Sequence, residues 1–261
     1  MSPKRGSLTA VGIGIRAPAQ ATFEASSAIA RADRVFTIVA DSVAEYWIRS
    51  LNPNTEPLTR LYALDKPRSE TYREMVERIV ESVRAGLVVC AVSYGHPGVF
   101  AYPLHESIRI LRGEGFSAEM LAGVSADACL FADLGIDPAS AGCRSYDATD
   151  FLVHRRTGDA ASGLILWQIG SIAEPGVRNS DAAWNLEGLR VLVERLLETY
   201  RPEHEAIVYE AARFPLCDSI VVRTPLAGLA DAPVSALSTL YVPPMTKPRA
   251  DAAMARRLGI L

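Results

Sequence analysis

No apolar run in the 261 residues approaches the roughly 20 needed to cross a bilayer as a helix. Lys4 and Arg5 stand near the start, but no apolar signal-peptide core follows them. Both absences point to a cytoplasmic protein without a membrane partner. Neither sign of charge dominates: the net charge is −3, which gives no reason to expect nucleic acid. Cysteine is scarce. The four residues, at 90, 129, 143 and 217, show no short paired spacing, which argues against zinc or disulfides and reads as buried thiols in a reducing compartment. Gly12-Ile13-Gly14 lacks the third glycine of a dinucleotide-binding turn, and Pro18 interrupts the segment. Repeats and low-complexity tracts are missing as well. What remains is a globular composition, 49% hydrophobic and 22% charged, sufficient for a sizeable core.

The pattern along the chain alternates strands and helices. Residues 8–14 read as a strand ending in a glycine turn, 20–32 as a helix, 34–40 as a β-rich strand and 42–51 as a helix. Asp65 is placed to cap the next helix, Pro67 fits its first turn and Gly86 its stop. Tyr72, Met75, Val76, Ile79, Val80 and Val83 share one face of it. Later come a helix over 104–112, a short strand over 117–121, an apolar strand over 163–170, a loop over 172–180 and a helix over 187–200. Residues 206–210, 220–223 and 238–244 read as strands, several of them antiparallel, with Pro243 ending the last. The fold class is α/β, with two α/β domains, 1–122 and 123–261, and a cleft between them.

The most apolar short run of the first half, Leu87-Val88-Val89-Cys90-Ala91-Val92, predicts a strand buried on both faces of a parallel sheet. Tyr94-Gly95-His96-Pro97-Gly98-Val99-Phe100 follows at its carboxyl end, where open α/β sheets hold ligands. A plain strand-to-helix loop explains the glycines but not a phenol, an imidazole and an apolar ring together. Arg68 and Tyr72, four apart, share a side of the preceding helix. Read alone, Tyr72 is core and Arg68 a solvated charge, although an arginine opposes the dipole at a helix start.

The 94–100 motif resembles the loop of the tetrapyrrole methylase superfamily, which uses S-adenosylmethionine. Gly123-Val124-Ser125-Ala126 resembles a second motif of that superfamily, and the run through Leu130-Phe131-Ala132-Asp133-Leu134-Gly135-Ile136-Asp137-Pro138 looks like the borosin peptide backbone N-methyltransferases. The resemblance covers nearly the whole chain. It implies a class III methyltransferase with the cofactor in the interdomain cleft and no metal. Catalytic roles fall on Tyr62, Arg68, Tyr72 and Tyr94. Cofactor contacts fall on Tyr94, His96, Val99, Phe100, Ala101, Ser125, Ala126, Gln168, Tyr209, Ala211, Ser238 and Thr239. It implies a homodimer too. Residues 245–261 contain no repetitive Val/Ile/Gly segment, which resembles the split type, with the precursor peptide a separate chain in a 2:2 complex.

The chemistry suits these residues. An amide nitrogen has its lone pair delocalised, so methylating it calls for a proton acceptor and a clamp for charge on oxygen. Tyrosines and an arginine supply both, and the sequence does not divide the roles among Tyr62, Tyr72 and Tyr94. A tyrosinate base would need a cation to lower its pKa. Ser125 is placed to cap a helix whose amides face the cofactor. Gln168, in a buried strand, needs polar partners. Two other readings stand: a tetrapyrrole or corrin methylase using His154-Arg155-Arg156 for carboxylates, and a non-catalytic binding protein.

Overall fold

The structure, a computed structural model, describes residues 6–39, 41–64, 66–157, 159–174, 186–248 and 250–260. Two compact units divide it. One comprises the chain through Leu134 with Ala211–Ser219; the other runs from Gly135 to Glu174, continues to Glu210 and resumes at Ile220. Among the described residues no helix is long and apolar enough to cross a membrane.

In the first unit strands and helices alternate: β1 (Ser7–Gly12), α1 (Phe23–Arg31), β2 (Arg34–Ile38), α2 (Ser42–Leu51), β3 (Thr55–Pro57), α3 (Arg68–Arg84), β4 (Val88–Ser93), α4 (Tyr102–Gly113), β5 (Ser117–Met120) and α5 (Ala126–Leu134). The strands form one parallel sheet in the order β3-β2-β4-β1-β5. The unbroken apolar run is its central strand. Val89 and Ala91 enter the core beneath α3 and α4, while Cys90 and Val92 enter the core beneath α1 and α2. A strand covered on both sides has no polar face to show, hence the absence of alternation. Met75, Val76, Ile79, Val80 and Val83 are the buried stripe of α3, with Tyr72 packed at its margin. Gly86, at φ +93°, turns the chain after it.

The second unit holds α6 (Pro138–Ala141), β6 (Cys143–Asp147), α7 (Ala148–Val153), β7 (Gly163–Trp167), α8 (Leu186–Leu197), β8 (Glu205–Glu210), β9 (Ile220–Pro225), β10 (Thr239–Val242) and α9 (Ala252–Arg257). Its sheet runs β6-β7-β10-β8-β9. Only β6 and β7 are parallel; the other pairings are antiparallel. Leu164, Leu166, Val208, Leu240 and Val242 pack with Phe151 of α7 and Leu189, Leu192 and Leu196 of α8. β10 is interior and stops at Val242 because Pro243 has no N–H to continue a ladder.

Several local expectations need correction. Gln20 is outside α1, which begins after the Thr22 cap; its side chain instead accepts the amides of Ile15 (2.8 Å) and Arg16 (3.0 Å). Helix α4 opens two residues early, at Tyr102, with Pro103 in its first turn. Helix α8 ends at Leu197 rather than at 200. The apolar strand of the second half stops at Trp167, and Gln168 is a half-buried, left-handed residue (φ +59°) that opens a 3-10 turn, not a member of a buried strand. Of the cysteines only Cys90 is buried; Cys217 is exposed. Asp65 lies outside the described residues, and Pro67 is the cap residue of α3, without a side-chain bond. The 172–180 loop lies outside them beyond Glu174.

Candidate active site

The site grows from the carboxyl ends of β1, β4 and β5, where three loops meet glycine on glycine. A Cβ on Gly12 would lie 2.1 Å from the Gly95 carbonyl oxygen. One on Gly123 would lie 3.0 Å from that oxygen and 3.2 Å from the Gly12 Cα. Gly14 and Gly95 form an isolated antiparallel bridge, both at positive φ. The three backbones come this close only because no side chain intervenes.

Side chains then fix the loop after β4. The Gly98 N–H donates to His96 Nδ1 at 2.9 Å, so the neutral imidazole carries its proton on Nε2. The Gly98 carbonyl accepts from His105 Nε2 of α4 at 2.9 Å. Gly98 is thus held through both of its flanking peptides. Phe100 follows at φ +52°, a conformation unfavourable for an aromatic residue and of the kind that clusters at ligand sites. Val99 and Phe100 remain partly open while Ala101 is buried. This gives an apolar wall beside a polar turn.

Four tyrosines and Arg68 gather next to this loop. The Tyr62 and Tyr72 rings meet edge to face at 6.5 Å, and Tyr72 stacks on Tyr102 at 6.2 Å. Lys66 braces the chain between Tyr62 and Arg68 by donating to the Leu61 carbonyl (3.0 Å) and pairing with Glu74 (2.7 Å). Burial pushes the Tyr62 phenol well above its ordinary value. The charge of Tyr72 and a hydrogen bond to Tyr72 add to this, and Arg68 pulls the other way without prevailing. Both effects of Tyr72 favour the protonated phenol of Tyr62. Tyr94 exposes 56% of its surface, yet its hydroxyl sits among protein atoms, and burial raises it too, against Arg68. The cation is where a tyrosinate would need it, but for Tyr62 and Tyr94 desolvation wins: both are phenols at neutral pH.

Two buried hydroxyls adjoin these residues without a partner among the described residues: Ser93 Oγ, at the end of β4, and Thr71 Oγ1, beside Tyr72. The Ser125 hydroxyl donates to the Asp127 carboxylate, and Asp127 Oδ1 takes the Ala128 N–H (2.9 Å). Ala126 is the first residue of α5. The glycine cradle, the apolar wall and the orphaned Ser93 hydroxyl suit a flat, partly polar cofactor such as the S-adenosylmethionine implied by the resemblance. Among the described residues no cluster of His, Cys, Asp and Glu could hold a metal ion.

The other residues of the expected cofactor set belong to one edge of the second sheet. Tyr209 and Thr239 are register partners, and Gln168 and Ser238 follow the Leu166–Leu240 pair by two residues on either strand. Tyr209 is fully buried. The Ser238 hydroxyl donates to Glu210 (2.5 Å) and accepts the Ser235 N–H (2.8 Å). Ala211 is half-buried just past β8.

Residues 7–230 match the family Tetrapyrrole (Corrin/Porphyrin) Methylases. The chain belongs to the tetrapyrrole methylase family. It is 40% identical, over 98% of its length, to a methyltransferase/ribosomally synthesized cyclic peptide gymnopeptides precursor from Gymnopus fusipes, of which it covers 61%. It is 40% identical, over 93% of its length, to a methyltransferase/ribosomally synthesized type I borosin cyclic peptide precursor from Coprinopsis marcescibilis, of which it covers 63%. The chain therefore spans about three-fifths of these relatives. The solved uroporphyrin-III-C-methyltransferase from Thermus thermophilus shares the fold, with a TM-score of 0.65 and 21% identity over 92% of this chain and 93% of that one.

Within this family fold, sequence reasoning missed Tyr102, His105 and Gln20. Tyr102 acts through a ring on another helix, Tyr72, while His105 and Gln20 act by folding back on the loop just before them, to Gly98 and to Ile15 and Arg16. Only Tyr102 left a trace, as an aromatic at a helix start just past the motif, where the core does not require it.

Proposed function

We propose that this tetrapyrrole methylase family member is an S-adenosylmethionine-dependent methyltransferase that α-N-methylates backbone amides of a ribosomally made precursor peptide. The observation that carries the reading is the grouping of Arg68 with Tyr62, Tyr72 and Tyr94 beside the β4 loop. The relatives described above, whose names join a methyltransferase to a cyclic-peptide precursor, support the substrate class. The proposal places the peptide on a separate chain, bound 2:2 to a cytoplasmic homodimer. Those relatives are fusions by name, so the separate chain rests on the proposal alone; intact-mass analysis of the natural gene product tests it.

When bound, S-adenosylmethionine supplies an electrophilic methyl group. The chain's residues prepare the nitrogen. Tyr62 and Tyr94, held as phenols, donate to developing negative charge, and Arg68 adds a fixed positive charge. Tyr72 serves as the base: its phenolate takes the amide proton and becomes the phenol. As the N–H bond breaks, charge moves to the amide oxygen and the nitrogen lone pair becomes available for the new N–C bond. Val99, Phe100 and Ala101 exclude water. His96, Ser125 and Ala126 supply polar contacts to the cofactor.

Methylation of a tetrapyrrole or corrin carbon is the second reading, drawn from the family's name. Two of the three side chains offered for its carboxylates are engaged elsewhere. His154 and Arg156 pair with Asp150 at 2.8 and 3.1 Å, and Arg195 donates to the carbonyls of Arg155 and Arg156. Incubation with labelled S-adenosylmethionine and either an apolar peptide or a tetrapyrrole decides between them. Label on a peptide backbone nitrogen, located by fragmentation mass spectrometry, is the expected result. Label on the macrocycle, or binding without transfer to either, refutes the proposal.

A further inference from the structure

The mechanism above gives no task to Tyr102, the first residue of α4. Its position is not explained by packing. The buried residues of α4 are Pro103, Leu104, Ser107, Ile108 and Leu111, whereas Tyr102 exposes 56% of its surface. The protein nevertheless lays its ring on Tyr72, with centroids 6.2 Å apart and planes 29° from parallel. Tyr72 meets Tyr62 on another side at 6.5 Å and 79°. The middle ring is thus stacked with Tyr102 and nearly perpendicular to Tyr62. A swing of the ring about its Cα–Cβ bond, which would carry the hydroxyl oxygen sideways, is opposed by both neighbours.

We propose that Tyr102 is a positioning residue for methyl transfer: its ring, stacked on Tyr72, holds the Tyr72 oxygen where it receives the substrate proton. The inference rests on the methyltransferase reading. It also links the two halves of the site. Tyr102 follows Phe100, at φ +52°, and Ala101, the N-cap residue of α4. The same helix reaches back through His105 to the Gly98 carbonyl. The loop assigned to the cofactor therefore sets the position of the ring that steadies the proton acceptor. The stack needs a flat ring and no hydroxyl, so Tyr102→Phe should preserve it and Tyr102→Leu should not.

Protein labelled with 13C at the tyrosine ζ carbons provides a readout independent of activity, with the Tyr72 resonance assigned from Tyr72→Phe. Tyr102→Leu should shift the Tyr72 resonance and Tyr102→Phe should leave it in place. In single-turnover transfer to the peptide, Tyr102→Leu should slow the step at saturating peptide about tenfold or more, as small misplacements do. Tyr102→Phe should retain the rate, and S-adenosylhomocysteine should bind both variants as it binds wild type. The Leu substitution should cost little further rate in a Tyr72→Phe background, because the group it positions is already gone. An unmoved Tyr72 resonance overturns the positioning, whatever the activity. Equal rate losses in both backgrounds overturn the route through Tyr72. Wild-type protein that transfers no methyl group to peptide overturns the methyltransferase reading and the catalytic role of Tyr102 with it, while the resonance still reports whether the ring is held.

Discussion

Replacing Arg68 with alanine probes the site at its charge. Arg68 is the group that lowers both the Tyr62 and the Tyr94 phenol, and it is half-buried at the start of α3. Side chains four apart on a helix stand about 5 to 6 Å from each other. At the effective dielectric of a protein surface, one unit charge acts on another at that distance with about 3 kcal/mol. If that charge bears on the transition state and not on the resting enzyme, its removal slows methyl transfer roughly a hundredfold. Global stability should stay within about 0.5 kcal/mol, as for surface changes outside the core, since alanine favours the helix and removes a cation opposed to its dipole. Single-turnover mass spectrometry of the peptide measures the step apart from product release. Calorimetry with S-adenosylhomocysteine should show unchanged affinity. Spectrophotometric titration should show Tyr62 and Tyr94 ionising at still higher pH than in wild type. A rate within a few fold of wild type, with folding and cofactor binding intact, would refute the assignment and return Arg68 to a solvated charge.

Other outcomes follow from the first unit. Asn52 exposes 4% of its surface, donates to the carbonyls of Ile29 (2.9 Å) and Ala32 (2.8 Å) at the end of α1 and accepts the Asn54 N–H (2.9 Å); Asn52→Ala should cost about 2 to 3 kcal/mol in urea unfolding. The Glu56 side chain, 12% exposed, binds Arg34, Arg60 and Arg78. Burial pushes its carboxyl up, but bonding and charge from Arg60 and Arg78 bring it below the usual value of 4.5. Its contribution is therefore full above the unfolded pKa and lost as pH falls through the folded one. Glu56→Gln should be less stable by about 1 kcal/mol at pH 7, and the difference should vanish in acid denaturation curves. Gly12→Ala sets a Cβ 2.1 Å from the Gly95 oxygen and 2.7 Å from Pro97 Cδ; more than about 2 kcal/mol of stability should be lost, with weaker S-adenosylhomocysteine binding by calorimetry.

The sequence by itself determined the elements and the chemistry of the central loop. An unbroken apolar run can only be an interior strand, so the position of β4 and the motif at its carboxyl end were legible from residues 87–100. Helical spacing put Arg68 and Tyr72 on one side of α3. Tertiary structure decided what local pattern could not. The glycines of three separate loops became one backbone junction because their missing side chains face each other across the sheet's edge. Gln168 left its strand because the chain turns left-handed there, which apolarity does not report. The protonation of Tyr62 and Tyr94 was decided by burial against the pull of Arg68, a balance that depends on how much water each hydroxyl has lost. Tyr102 joined the site only when α4 brought its first turn against the first turns of α3. Sequence supplies the side chains; desolvation and ring-to-ring contact arise only once distant segments are packed together.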